Sequence, residues 1–288
     1  MITPDWPAPE HVRAVFTTRH LADAQSAKPF DTFNLGSHVG DAPAAVAANR
    51  ALLAHSIGAQ PVFLQQIHGT AVARLPALHP QGVAVSPTAS NHGALDAITA
   101  DACITTTAGV ACTIMVADCL PVLFTDKQGS FVAAAHAGWR GLLGSSSGGV
   151  LEAIFKEILH NVSVIWSYGA NKNIANDVHH VANDVLVWLG PCIGHSAFEV
   201  GAEVHQAFVE NNSQAAQHFK AQADGKYLCN LSALARQRLT AMGISNIYGN
   251  DSSAPWCTVG NPAQYFSHRR DAKALGSTGR MAGCVWMG

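Results

Sequence analysis

Charge is scarce in this 288-residue chain: only 12% of its residues are Asp, Glu, Lys or Arg, and the formal net charge at pH 7 is −2. The Lys and Arg residues are scattered, so no basic field exists to hold a nucleic-acid backbone, and nucleic acid is not an expected partner. Long apolar runs are missing as well. No uninterrupted stretch approaches the roughly 18 residues of a membrane span, which removes the membrane as an expected partner. The start, MITPDWPAPE, carries acids and prolines where a secretory signal needs a basic segment and an apolar core, and this points to the cytoplasm. A C-x-x-C pair is also absent, and the seven cysteines are an odd number, so reduced thiols in a reducing compartment are expected instead of a disulfide framework.

What the chain does have is apolar content, 48% of its residues, which over this length suffices to bury a sizeable core. One domain over residues 1–288 is expected. HVRAVFTTR (11–19) reads as a first strand with a polar, basic tip, followed by a Gly- and Pro-punctuated loop through FNLGSHVGDAP. Loops of that length commonly carry function. Apolar residues at helical spacing before Gly58 predict a helix over about 43–56. VFLQQIHGT reads as a strand ending at His68, and 76–93 as irregular chain. ACITTTAGVACTIMVADC holds two strands broken at Ala108 and Gly109, the second apolar almost throughout, as in a strand buried on both faces.

After Arg140 the small-residue loop GLLGSSSGG leads into VLEAIFKEIL, a helix with one apolar stripe from Val150 to Leu159. Its N-terminus would offer backbone N–H groups to an anion. The Asn-rich, weakly periodic stretch at 161–184 reads as an insertion. VLVWLGPCIG returns to strand and turn. GAEVHQAFVE and NLSALARQRLTAMG read as helices, the second with Asn230 as N-cap and Gly243 as its stop. ISNIYG, QYFSHRR and MAGCVWM read as strands. Strands and helices mix without strict alternation around a central hairpin, which predicts an α/β class of the α+β type, a mixed β-sheet core with flanking helices.

That hairpin is ADCLPVLFTDKQGSFVAAAHAGWRG (117–141), two apolar runs joined by a polar turn. With Lys127 and Gln128 at the tip, Cys119 directly faces His136. Opposed residues of an antiparallel ladder have Cβ atoms about 4.5–5.5 Å apart on one face, close enough to share a metal ion. Zinc takes Cys and His ligands at about 2.0–2.3 Å, and its catalytic sites keep three protein ligands and an open position. His68, followed by Gly69, is the candidate third ligand. A buried thiol beside a hydrogen-bonded histidine would give the same spacing, and a one-residue shift in the turn would send the two side chains to opposite faces. Copper is the weaker choice of metal. A blue-copper centre also uses two His and one Cys but adds an axial ligand, usually Met. Met115 stands about 13 Å along the strand from Cys119, and the chain has no His-x-His pair. A metal-free alternative stays open, with a Cys119 thiolate as nucleophile and His136 as base, as in thiol hydrolases.

QQIHGT, VADCLPVLF with AAHAGWRG, LGPCIG with FEVG, and FSHRRD with TGRMAG resemble the signatures of the multicopper polyphenol oxidase (laccase-domain) family, also described as YfiH-like. Its members are variously called purine nucleoside phosphorylases or peptidoglycan editing factors. The resemblance runs through nearly the whole chain, from FTTRH and FNLGSHVGD onward. It implies a zinc site on His68, Cys119 and His136, and a mixed α/β fold similar to cysteine-hydrolase folds of the cytotoxic necrotizing factor type. It further implies an enzyme acting on purine nucleosides: phosphorolysis of adenosine, inosine and methylthioadenosine, and deamination of adenosine. The partners implied are a purine nucleoside and phosphate. Phosphorolysis needs cations around the phosphate, and Arg19, Arg50 and Arg140 are the candidates, although an arginine near a strand end commonly serves as an ion-pair partner.

The sequence departs from the family pattern at Val116, where Thr often precedes the ADC motif, and at 161–184, which looks longer. Asp118 alternates with Cys119 and is expected to face the other way. A second reading of the same site is an amidase that edits peptidoglycan precursors. Copper-dependent phenol oxidation and a non-enzymatic binding module rank below it.

Overall fold

A computed structural model describes residues 1–75, 98–167 and 178–288, so the segment expected to be irregular at 76–93 lies outside the described residues. The chain forms β1 (Val12–Phe16), α1 (Pro43–Ile57), β2 (Gln60–Val62), β3 (Val72–Arg74), β4 (Ala102–Thr105) and β5 (Val110–Val116). The central hairpin follows as β6 (Leu120–Asp126) and β7 (Val132–Ala137). After it come three helices, α2 (Trp139–Leu143), α3 (Val150–Ser167) and α4 (Val178–Asp184). The remainder is β8 (Val185–Leu189), β9 (Glu199–Val200), α5 (Ala202–Asn211), β10 (Phe219–Ala221), β11 (Tyr227–Cys229) and α6 (Leu231–Ala241). The last elements are β12 (Asn246–Gly249), α7 (His268–Leu275) and β13 (Met281–Met287).

Two mixed sheets make the core, one of six strands in the order β12-β8-β6-β7-β4-β3 and one of four in the order β1-β13-β5-β2. A small third sheet, β10-β11-β9, sits apart from them in pairing. The two-residue period of the strands explains how the layers stack. On β6, Val122 and Phe124 pack with Ile154 and Phe155 of α3 and with Leu234 of α6, whereas Leu123 packs with Ile114 of β5 and Val285 of β13 in the other sheet. On β13, Met281 and Val285 face that inter-sheet layer, while Ala282, Cys284 and Trp286 face a third layer shared with Leu53 and Ile57 of α1. The order is therefore helix, sheet, sheet, helix. β5, β6 and β13 are buried at every residue, Thr113, Thr125 and Asp126 included, because each strand is covered on both faces. The mixed-sheet expectation holds, and the second stacked sheet is what it did not contain.

Several local expectations change. QYFSHRR is not a strand: Ser267 caps α7, its Oγ accepting from Arg270 N–H at 3.2 Å while its own N–H donates to Asp271 Oδ2 at 3.2 Å. A reciprocal cap at a helix start outweighs the alternation that suggested a strand. Of the strand VFLQQIHGT expected to end at His68, Val62 pairs with β5 as the last residue of β2 and Gln65 forms an isolated bridge with Thr99, while residues 67–69 are drawn into a loop against Asp101. The loop expected after Arg140 begins inside α2. Within the proposed insertion, α3 continues to Ser167 and α4 covers Val178–Asp184, with 168–177 outside the described residues. The α3 N-terminus does not await an outside anion: Gly149 N–H donates to Glu152 Oε2 at 2.7 Å, so the helix supplies its own carboxylate. No helix of the described residues is long and apolar enough to cross a membrane.

Candidate metal centre

The hairpin register differs from the expected one. Leu120 pairs with Ala137 and Pro121 with His136, because the ladder closes at Thr125 and Val132 and leaves a longer connection than a two-residue tip. Asp126 organises that connection, its backbone carbonyl accepting from Gly129 N–H at 3.0 Å and its carboxylate from Ser130 N–H at 2.7 Å. The slip amounts to two residues, an even number, so Cys119 and His136 stay on one face as diagonal neighbours.

His68, Cys119 and His136 come together, with one ligand atom from each all within 4.8 Å of one another. The Cys119 sulfur lies 3.7 Å from His68 Nε2, and the two imidazole rings meet edge to face with centroids 4.7 Å apart. His136 is buried, Cys119 half-buried and His68 exposed, so the group opens in one direction. Two imidazoles and one thiolate with space beside them fit the chemistry of a tetrahedral metal that keeps one position for a reactant. Among the described residues this is the one such group of ligands.

Cys119 sits in the tight β5–β6 connection just after Asp118, whose φ is +99°. Asp118 lies between strands, so alternation does not set its direction, and it lines the same pocket as Cys119. Its carboxylate accepts from Thr258 Oγ1 at 2.6 Å and from Arg269 N–H at 2.6 Å, and its backbone carbonyl accepts from Ile193 N–H at 2.8 Å. It is a buried tie between the connection, the start of α7 and the turn at Pro191–Gly194. Gln66 anchors the His68 loop in the manner of a strand partner, donating to Met115 O and accepting from Met115 N–H, both at 2.8 Å.

One residue essential to this arrangement went unread in the sequence: Asp101, fully buried at the start of β4. Its carboxylate receives the His136 Nδ1–H at 2.8 Å and the backbone N–H groups of Ile67, His68 and Gly69 at 3.1, 2.9 and 2.7 Å. A lone Asp inside the apolar run TADACIT was the available signal, since a buried carboxylate needs partners.

Burial works against charge on Cys119, but His136 and His68 outweigh it and bring the thiol down to about 6. Burial likewise disfavours the His136 imidazolium, and the Cys119 thiolate and Asp101 lift it to about 9. In metal-free protein the pair is therefore thiolate and imidazolium between those values. The Cys119 contribution to stability is lost as pH falls through about 6, and that of His136 as pH rises through about 9. All seven cysteines are free, and the other six are buried. Metal-free protein is thus expected to show one fast-alkylating thiol, with a rate that halves near pH 6, and added zinc should protect it. Several equally fast thiols, or a midpoint near pH 8.5, would contradict this electrostatic account.

A pocket of about 420 Å³ lies over the group. Trp139, Ile193, Phe198 and Leu231 give it apolar walls, and Arg140, Arg269 and Arg280 line it. Of the three arginines expected at a phosphate, only Arg140 is among them. The Arg19 guanidinium donates to Pro262 O at 3.0 Å and pairs with Asp31. Arg50, on α1, donates to Leu35 O at 2.9 Å and stacks over Phe63 at 3.9 Å. Neither lines the pocket, although Arg50 also donates to the sulfur of Met115, which does, and Arg269 and Arg280 stand where Arg19 and Arg50 were expected. Arg280 donates to Thr278 O at 2.9 Å and to Gly279 O at 3.2 Å. Burial pulls its guanidinium below the usual range, partly offset by Cys119 and Asp118.

Stacked mixed sheets carrying an open His, Cys, His group define a mixed α/β protein with a built metal-type site. The chain belongs to the family described as multi-copper polyphenol oxidoreductase laccase, whose sequence model matches residues 13–288. It is similar to a Pseudomonas aeruginosa protein named purine nucleoside phosphorylase, 40% identical over 287 residues and covering 99% of this chain and 98% of that one. It is also similar to purine nucleoside phosphorylase YfiH of Escherichia coli, 39% identical over 289 residues, covering 100% and 98%. Among solved structures, Neisseria meningitidis protein NMB0706 superposes with a TM-score of 0.75 at 38% identity, covering 99% of this chain and 98% of that one.

Proposed function

We propose that this chain is a zinc-dependent purine nucleoside phosphorylase of the reducing cytoplasm, acting on adenosine, inosine and methylthioadenosine, with adenosine deamination at the same site. The observation that carries the reading is one pocket holding both the His68, Cys119 and His136 group and three arginines. The names of the relatives agree with it. His68, Cys119 and His136 would hold a divalent metal, which when bound would supply Lewis-acid polarisation.

The chain's own residues account for binding. Arg280 is a guanidinium withdrawn from water, and among the described residues it has no ion-pair partner, so an anion entering the pocket relieves its burial. Arg140, stacked over Trp139 at 4.4 Å, holds a second cation at the rim. Together they suit a phosphate, whose oxygens accept charge-assisted hydrogen bonds. Phe198 and Trp139 offer flat apolar surface to a purine. Phosphorolysis breaks the bond from C1′ to the purine nitrogen, forms one from C1′ to a phosphate oxygen, and returns a proton to the departing base. Zinc is preferred to copper because the donor group consists of two imidazoles and one thiolate, and the sulfur of Met115, which also lines the pocket, is engaged by Arg50 at 3.7 Å.

Untagged protein is expected to contain about one zinc per chain and to release purine base from adenosine or inosine only with phosphate present. Arg140→Ala should raise the KM for phosphate about 10- to 100-fold with a much smaller change in kcat. Base release that ignores phosphate would defeat the phosphorylase reading. A second reading rests on the depressed Cys119 thiol beside His136, a nucleophile and base pair suited to amide cleavage in peptidoglycan precursors. Zinc content without nucleoside turnover, together with amide hydrolysis, would favour it.

A further inference from the structure

Asp101 touches neither solvent nor the pocket lining. Its Oδ1 accepts from His68 N–H at 2.9 Å and His136 Nδ1–H at 2.8 Å, and its Oδ2 from Ile67 N–H at 3.1 Å and Gly69 N–H at 2.7 Å. An ionised carboxylate has about four lone-pair sites, so all of its accepting capacity is taken up. Nothing is left with which to contact substrate or metal. We propose that Asp101 is a positioning residue that sets both histidine ligands at once, and that the metal geometry depends on it. The inference rests on the metal reading of His68, Cys119 and His136.

Two separate segments meet at this carboxylate. On the β7 side, Asp101 holds the Nδ1 proton of His136, so Nε2 is the nitrogen whose proton a metal would displace and whose lone pair would then bind it. The same residue also holds the backbone, its carbonyl accepting His136 N–H at 2.7 Å. On the other side, His68 has φ +62°, a region that non-glycine residues seldom occupy. Three consecutive N–H groups of the His68 loop converge on the Asp101 carboxylate as they would on a bound anion. The protein thus supplies the anion that holds the loop in this turn. Cys119 is held separately by its own connection through Asp118. Loss of Asp101 should therefore loosen the two imidazoles and spare the thiolate.

Cobalt(II) titration of the full chain tests this without reference to activity. In the wild-type protein, cobalt should give a thiolate charge-transfer band and the d–d bands of a four-coordinate site. Asp101→Asn keeps the size of the side chain but turns one acceptor into a donor. It should bind cobalt about 10- to 100-fold more weakly, with displaced d–d bands and a retained thiolate band at saturation. Unchanged affinity and unchanged d–d bands would overturn the inference while leaving the metal reading intact. Absence of the thiolate band in wild-type protein would overturn the metal reading and the inference with it. Should the variant not fold, nitrogen-15 spectra of the wild-type histidines decide the matter. His136 is expected to show a slowly exchanging Nδ1–H and an Nε2 resonance that moves when zinc is added; movement at Nδ1 instead would overturn it.

Discussion

Cys119→Ala is expected to yield a folded protein that retains less than about a tenth of an equivalent of zinc and loses at least about 10³-fold in purine release. Cys119 lies in a connection between strands, half-buried, and supplies the one sulfur of the three-ligand group, so its removal leaves two imidazoles that hold zinc poorly. Its packing contribution is small, and Asp118 continues to hold the connection through Thr258 and Arg269. The melting temperature of the metal-free protein should therefore move by no more than about 4 °C. Elemental analysis and thermal melting of the same preparation check both halves, and unchanged zinc would sink the ligand assignment. Cys119→Asp separates the two chemical readings, because it keeps a metal ligand and removes the thiol. Partial activity in that variant supports metal chemistry, and none supports a thiolate nucleophile.

The second large effect is expected at Gly138, the position facing Cys119 across the continued hairpin. Its φ of −69° and ψ of 160° are open to any residue, so alanine brings no backbone strain. What it brings is a methyl group 2.9 Å from His68 Cδ2 and 3.0 Å from Cys119 Sγ, inside ordinary contact distance of two ligands. One or both must shift. Gly138→Ala should weaken zinc binding about 10- to 100-fold and lower kcat about 10²-fold, with a stability change of about 1–3 kcal/mol. Chelator competition and steady-state kinetics measure these, and wild-type zinc affinity would show that the ligands can accommodate the methyl. Gly141 has a related task, since a Cβ there would lie 2.8 Å from Gly69 O. The two glycines of HAGWRG are thus spaced to let the His68 loop close over the hairpin.

The sequence made this centre legible through a pattern that tolerates error. The expected hairpin register was off by two residues, yet Cys119 and His136 shared a face because an even slip preserves the alternation of a strand. Helix bounds at α1 and α6, with Asn230 as the N-cap of α6, and the full span of β13 were legible because local spacing and capping determine them. The hidden parts depend on distant chain. Asp101 gains its meaning from residues 67–69 and 136, and Asp118 from residues 258 and 269. Arg19 and Arg50 looked as available as Arg140, since nothing local reveals that Asp31, Pro262 and Leu35 already engage them. The face-to-face stacking of two sheets was equally hidden, because a strand covered by helices on both sides has the same apolar composition as one covered by a second sheet.

The position of β13 bears on how the chain is made. It follows every other described element in the sequence, yet it is paired on both sides, to β1 and to β5. A ribosome adding about 5–20 residues per second delivers β13 on the order of 10–30 s after β5. Throughout that interval β1 and β5 present unpaired edges to other nascent chains and to chaperones. A strand made well over a hundred residues after its partners closes the sheet, and the layer beneath His68, Cys119 and His136 is completed only then.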